Sequence, residues 1–199
     1  MKDFAVPLET VRPRGGRLLE AFSPKLGRRV RLFDHRRFQQ WLRLEADPAV
    51  LAFCERPARL GPQPDARLVD FWVRHRDGQA MLLLEPAPPQ AVPAQVDGVD
   101  IRMVPSADLA ADSVWIANWQ RMLPIVTATR SLVPKALTKA VLDRIHEPTP
   151  LAMVERDLSR GDPSLVRGAI YDLLRTGRIA AASLHVQPLT LHTLLEPLA

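Results

Sequence analysis

Apolar and polar positions along the chain follow two regimes. Up to about residue 104, short apolar runs alternate with Pro, Gly and Asp at spacings that suit strands. Beyond Pro134, apolar positions recur every three or four residues, as in short helices. In the first regime, Gly16 to Phe22 and Arg28 to Phe33 predict a pair of strands around the turn Ser23–Gly27. A helix is expected next, with Asp34 as N-cap and Phe38, Trp41, Leu42 and Glu45 recurring at i, i+3, i+4 and i+7. Asp47-Pro48 should close it, because the residue before proline avoids the α region. Val50 to Phe53 opens another strand, ending near Pro57. Leu68–Arg74 and Ala80–Leu84 form a hairpin around Asp77-Gly78. The apolar residues of this hairpin do not alternate cleanly, as expected of central strands covered on both faces. Residues 86–93 break regular structure, Gly98 to Val104 predicts a strand, Ala107 to Gln120 a helix, and Thr127 to Lys135 a connection.

The second regime predicts a small helical module. Ala136 to Ile145 is its first helix, and Thr149-Pro150 is an N-cap and N1 pair opening a second, through about Leu158. Asp162-Pro163 repeats that signal for a third, which Gly177 ends at C′. Leu165, Val166, Ala169, Ile170, Leu173 and Leu174 form its apolar stripe, while Ser164, Arg167, Tyr171 and Arg175 are expected to project outward. Ile179 to Val186 and Leu189 to Leu194 would pair as a wing, giving a winged helix-turn-helix. The expected division is residues 1–125 and residues 126–199.

Composition narrows the classes. An apolar fraction of 47% with 25% charged residues is ordinary for a globular chain, and no run reaches the length of a membrane span. With the single Cys54 and no secretory-type start, a cytoplasmic protein is expected. The histidines lack zinc-ligand spacing. The net charge of +5 is unevenly spread: Val11 to Arg43 holds ten Arg or Lys against two acids. Such a stretch either follows a phosphate backbone or forms a solvated arginine-rich surface.

Asp70 is the sharpest chemical signal. An ionised acid between Val69, Phe71, Trp72 and Val73 must be paired, hydrogen-bonded or metal-bound, unless its strand lies at an edge and faces water. Glu85 sits one hairpin away, where adjacent strands would bring both carboxylates to one hard cation such as Mg²⁺. Glu45, in the apolar stripe of the first helix, is either a third ligand or a helix-end acid paired with Arg43 or Arg59. A lysine that would activate water is scarce: only Lys2, Lys25, Lys135 and Lys139 exist, and Lys25 in the first hairpin turn is the candidate. Arginine cannot act as a base at neutral pH.

An aspartate in a strand, then Glu at the end of the next, resembles the PD-(D/E)xK nucleases. More narrowly, SPKLGRRVRLFDHRRFQQWLRLEADPAVLAFCERP, VDFWVRHRDG and LLLEPAP, followed by a winged helix, resemble the TnsA endonuclease subunit of heteromeric transposases. The likeness covers about residues 16–88. It implies an α/β fold, with a restriction-endonuclease-like central mixed sheet flanked by helices and a C-terminal winged helix-turn-helix domain. It also implies metal ligation by Asp70 and Glu85, and contacts to DNA, a partner transposase and an ATPase regulator. Three positions depart from the family pattern: Arg37 stands where the helix glutamate belongs, Ala87 where the lysine belongs, and Arg56, before Pro57, where the glutamine of a Gln-Pro pair belongs; the first two are catalytic positions. The expectation is a transposition subunit that binds DNA through Lys25, Arg28, Arg29, Arg31, Arg37, Arg167, Tyr171 and Arg175, holds Mg²⁺ weakly or not at all, and has impaired or lost cleavage. The alternatives are an active metal-dependent endonuclease that uses Asp70, Glu85 and Glu45 with Lys25, and a non-enzymatic DNA-binding regulator on a dead nuclease frame.

Overall fold

A computed structural model describes residues 4–13, 15–85 and 92–198. It is a mixed α/β structure with a five-stranded mixed sheet and six helices among the described residues. Two compact units divide it: residues 1–45 with 49–111, and residues 46–48 with 112–199.

In the first unit, β1 (Leu19–Ser23) and β2 (Arg28–Leu32) form an antiparallel hairpin with Phe22 opposite Arg29 and Glu20 opposite Arg31. Gly27 adopts φ +66°, the left-handed conformation that glycine enters without steric cost, and so allows the turn to close. Helix α1 (His35–Ala46) starts as its sequence predicts. Asp34 Oδ1 accepts the Arg37 N–H at 2.8 Å, which satisfies one of the N–H groups that a helix start leaves orphaned.

The larger sheet has the order β3-β4-β5-β7-β6, built from β3 (Ala52–Glu55), β4 (Phe71–Arg74), β5 (Gln79–Leu84), β6 (Gln95–Val96) and β7 (Val99–Val104). Strands β3, β4 and β5 run antiparallel in sequence order, and β7 joins β5 in parallel. One core cluster gathers Phe4, Cys54, Ala58, Val69, Trp72, Met81, Val96 and Val99. Phe53, Phe71, Val73 and Leu83 are buried as well, so neighbouring positions on one strand are both covered. This explains the missing alternation in the sequence.

Helix α2 (Ser106–Ala111) completes this unit. The single helix expected over 107–120 is in fact two. The chain breaks at Asp112, and α3 (Ser113–Thr129) continues nine residues beyond Gln120, straight through Pro124. Its buried stripe of Ile116, Trp119, Leu123 and Val126 outweighs the hydrogen bond that the exposed proline cannot donate. The boundary expected at 125/126 therefore falls inside α3.

The second unit continues with α4 (Lys135–Arg144), β8 (Thr149–Pro150), α5 (Leu151–Leu158), α6 (Ser164–Arg175), β9 (Ile179–Ala180), a 3-10 turn over Ala182–His185 and β10 (Leu194–Pro197). Thr149 and Pro150 are strand residues rather than cap and first turn: the N–H groups of Leu151 and Ala152 donate to the carbonyls of Thr193 and Leu191, so backbone replaces the expected side-chain cap. Helix α6 ends as predicted. Gly177 at φ +64° donates to Leu174 O, and Arg178 N donates to Leu173 O, the paired bonds of a Schellman motif. The expected wing is shorter than the sequence suggests. The small sheet has the order β8-β10-β9, and the 3-10 turn occupies much of the first expected strand. Asn118 holds that turn: its Nδ2 donates to Leu184 O and Gln187 O, and its Oδ1 accepts the Leu189 N–H at 2.8 Å.

Candidate functional site

Asp70 immediately precedes β4 rather than sitting within it, but its backbone is still tied into the sheet. Its N–H donates to Leu82 O at 3.2 Å, and its carbonyl accepts from Arg56 N at 3.0 Å. The residue is 2% exposed. Oδ2 accepts the Leu84 N–H at 2.7 Å, with Arg67 Nη2 at 3.8 Å. Oδ1 lies 2.6 Å from Arg37 Nη2, a contact with the geometry of an ion pair rather than of an aligned hydrogen bond. The other face of the Arg37 guanidinium meets Asp34 Oδ2. Arg37 thus bridges a buried carboxylate and a partly exposed one. Burial pushes the Asp70 carboxyl above its ordinary range, against the pull of Arg37, the Leu84 N–H and Arg67. Burial pulls the Arg37 guanidinium down, but the Asp70 and Asp34 carboxylates together hold it above its ordinary value.

Glu85 follows β5 directly. Asp70 lies at the start of β4 and Glu85 at the end of its antiparallel neighbour, so both belong to the same end of the hairpin. Glu85 is exposed, and its Oε2 is 3.4 Å from Ser106 N at the start of α2. Arg36 fastens the same corner, donating to Glu85 O at 3.0 Å and to Ser106 Oγ at 2.8 Å.

Glu45 points inward, as its place in the α1 stripe predicts, but it is bound elsewhere. It is fully buried and accepts the Ser23 hydroxyl at 2.5 Å and the Lys25 N–H at 2.8 Å. Lys25 Nζ in turn donates to Leu44 O at 2.7 Å. Glu45 and Lys25 therefore clasp the β1–β2 turn to the C-terminal end of α1. A buried carboxylate with satisfied lone pairs holds the turn; Glu45→Ala would orphan both donors. We expect Glu45→Ala to cost about 2 kcal/mol or more, and Glu45→Gln less, because its amide oxygen still accepts one bond. Denaturant unfolding of the two variants checks the order.

No group of three or more His, Cys, Asp or Glu side chains suited to a metal exists among the described residues. The donors that the nuclease likeness implies for Mg²⁺ do not fit it. Asp70 is engaged by two arginines and a backbone N–H, with the Arg37 guanidinium against it, and Glu85 is exposed with its Oε2 near Ser106 N. Glu45, the third ligand of the alternative reading, belongs to the hairpin clasp. Ala87, the position of the lost lysine, lies outside the described residues.

The expected nucleic-acid contacts divide sharply. Arg28 turns inward and makes a two-pronged pair with buried Glu55, at 2.9 and 2.7 Å. Arg29 and Arg31 are exposed on the opposite side of β2, with Arg31 paired to Glu20 at 2.8 Å. On α6 the expected projection fails. Tyr171 is buried, Arg167 forks onto Glu155 of α5, and Arg175 pairs with Asp172 three residues back. The helical period placed Tyr171 outside the apolar stripe, but α6 is covered over a wider arc than that stripe. Asp34, Glu55 and Arg67 are partners that the sequence reading did not name as site residues. Only Arg67, three positions before Asp70, and Asp34, three before Arg37, carried a local signal.

No helix among the described residues is long and apolar enough to cross a membrane. No protein-family model and no curated protein matches the chain.

Proposed function

We propose that this chain is a TnsA-like subunit of a DNA transposition complex that binds DNA and a partner transposase and has lost cleavage. One observation carries the loss: the Arg37 guanidinium lies 2.6 Å from Asp70 Oδ1, where a cleaving enzyme of this frame would need a metal. A fixed positive charge repels a divalent ion and consumes the carboxylate's charge. The frame itself is supported by the β3-β4-β5 meander with β7 in parallel, and by Asp70 and Glu85 at one end of the central hairpin. The winged-helix reading of the second unit is supported by the element order after α3: α4, a short strand β8, α5 and α6, then β9 and β10, which complete a small sheet with β8.

DNA contact is carried by Arg29 and Arg31 on the solvent side of β2, with Arg17 exposed just before β1; the Arg31 pair with Glu20 is exposed on both sides and weak enough to give way to a phosphate. Arg28, Arg37, Arg167 and Arg175 are removed from that role by their intramolecular partners. With its α6 cations paired, the second unit favours protein contact: Leu132, Met153, Leu191 and Leu194 are large, apolar and exposed. The transposase, or an ATPase regulator, is the partner expected there.

The test is a nicking assay on supercoiled DNA with Mg²⁺ or Mn²⁺, for wild type and Asp70→Ala, alone and with the candidate transposase, alongside a salt titration of DNA affinity. The expected result is no cutting in either variant. DNA affinity should fall steeply with salt, and Arg29→Ala with Arg31→Ala should flatten the slope by about one unit per lost phosphate contact. Cutting abolished by Asp70→Ala would overturn the proposal in favour of a working nuclease. Binding to DNA without any transposase association would favour the regulator reading.

A further inference from the structure

We infer that Arg37 is a resident cation: its side chain does for Asp70 what a bound divalent ion would do, and removing it would uncover a cation-binding site formed by Asp34 and Asp70. The inference rests on reading Asp70 as the inherited metal-site carboxylate, and it identifies what neutralises that carboxylate now.

Both carboxylates converge on one guanidinium, Asp70 Oδ1 on Nη2 and Asp34 Oδ2 on Nη1. Two acids from different elements, the N-cap of α1 and the residue leading into β4, are therefore within one guanidinium's width of each other. Their environments differ. Asp70 is sealed in, with its second oxygen fixed by the Leu84 N–H, whereas the Asp34 side chain is 40% exposed. One ligand is thus rigid and the other open to solvent, which gives an ion a way in. Arg37 can occupy this place because it sits at the third residue of α1, where its backbone N–H is already capped by Asp34 and its stem is directed back over the helix start. A carboxylate at that position would add a third acid to the two; an arginine offsets the charge of one of them. Without Arg37, Asp70 would keep only the longer Arg67 pair, at 3.8 Å from Oδ2, and its Oδ1 would lose its nearest cation. Mg²⁺ and Mn²⁺ are chemically suited to two carboxylates completed by water.

Thermal melts of the full chain in EDTA and in Mn²⁺ test this without DNA. Wild type should melt at one temperature in both. Arg37→Ala should melt roughly 5 °C lower in EDTA and recover saturably with Mn²⁺. Arg37→Ala/Asp70→Asn should melt near wild type in EDTA and show no Mn²⁺ response, because its carboxylate charge is gone. Arg37→Lys should remain indifferent to Mn²⁺. If Arg37→Ala cannot be purified folded, Arg37→Gln, which removes the charge but keeps a polar stem over the helix start, carries the same test and should gain stability saturably with Mn²⁺; a folded Arg37→Gln protein that Mn²⁺ does not stabilise would overturn the inference. An Arg37→Ala protein that Mn²⁺ does not stabilise, a Mn²⁺ response that survives Asp70→Asn, or an Asp70-dependent Mn²⁺ response already present in wild type would each overturn the inference. A chain that behaves as expected here but binds neither DNA nor transposase would overturn the proposed function alone. The reverse pattern would leave that function standing and remove the cation role.

Discussion

Arg28→Ala should destabilise the protein by about 2–3 kcal/mol, while Arg29→Ala should change stability by less than about 0.5 kcal/mol and act on nucleic-acid affinity alone. The two residues are adjacent on β2, and strand alternation sends them to opposite sides. Arg28 reaches Glu55 with both terminal nitrogens, at 2.9 and 2.7 Å, and Glu55 is 2% exposed. Removing one partner of a fully buried pair typically costs about 3–5 kcal/mol, because the other charge is stranded. Two features lower the expectation here: Arg28 keeps 30% of its side chain in solvent, and Arg56 Nη2 stays 3.9 Å from Glu55 as a partial substitute. Denaturant unfolding beside a DNA-affinity titration separates the residues. If Arg28→Ala unfolds like wild type yet loses DNA affinity, Arg28 is an interface residue and the Glu55 pair contributes little. If Arg29→Ala destabilises comparably, the division of the basic hairpin into a buried and a solvent side is wrong.

This contrast also shows where a sequence stops being informative. Turn and cap chemistry is local, and it was readable: Gly27 at the hairpin turn, Asp34 at the start of α1, Asp77-Gly78 between β4 and β5, and Gly177 after α6 all lie where residue type alone placed them. The inward aim of Glu45 was legible from helical spacing, but its partners Ser23 and Lys25, some twenty residues back, were not. Arg28 and Arg29 look identical in a count of charge; only the pairing of Arg28 with Glu55, across 27 positions, distinguishes them. For Asp70, burial among apolar neighbours was predictable, and so was the need for a counterion. That the counterion is Arg37, the residue standing in for an expected acid, depends on how α1 meets β4, which no local pattern encodes. The extension of α3 from Gln120 through Pro124 to Thr129 has no local signal: a proline is a strong local stop, and the buried stripe that overrides it needs a partner surface to be recognised.

The same dependence on a partner surface underlies the other large effect. Gly168→Ala should destabilise the C-terminal unit by about 2 kcal/mol, although alanine is the better helix former by about 1 kcal/mol. Gly168 lies within α6, and a Cβ built there would come 2.0 Å from Thr129 Oγ1 and 2.9 Å from Thr129 Cβ, at the last turn of α3. Both separations are far inside van der Waals contact. The Thr129 hydroxyl cannot swing away cheaply, since it is buried and donates to Ile125 O at 2.8 Å. The added methyl must therefore push α3 and α6 apart and loosen the packing between their buried faces. Thr129→Ala removes the nearest atom and gives up only a bond within its own helix turn. Gly168→Ala/Thr129→Ala should therefore be more stable than the sum of the single changes predicts, a coupling of about 1 kcal/mol that a double-mutant cycle by denaturant unfolding would detect. Additive behaviour, or a Gly168→Ala protein as stable as wild type, would mean that the helices meet less closely at this point and that glycine is tolerated there rather than required.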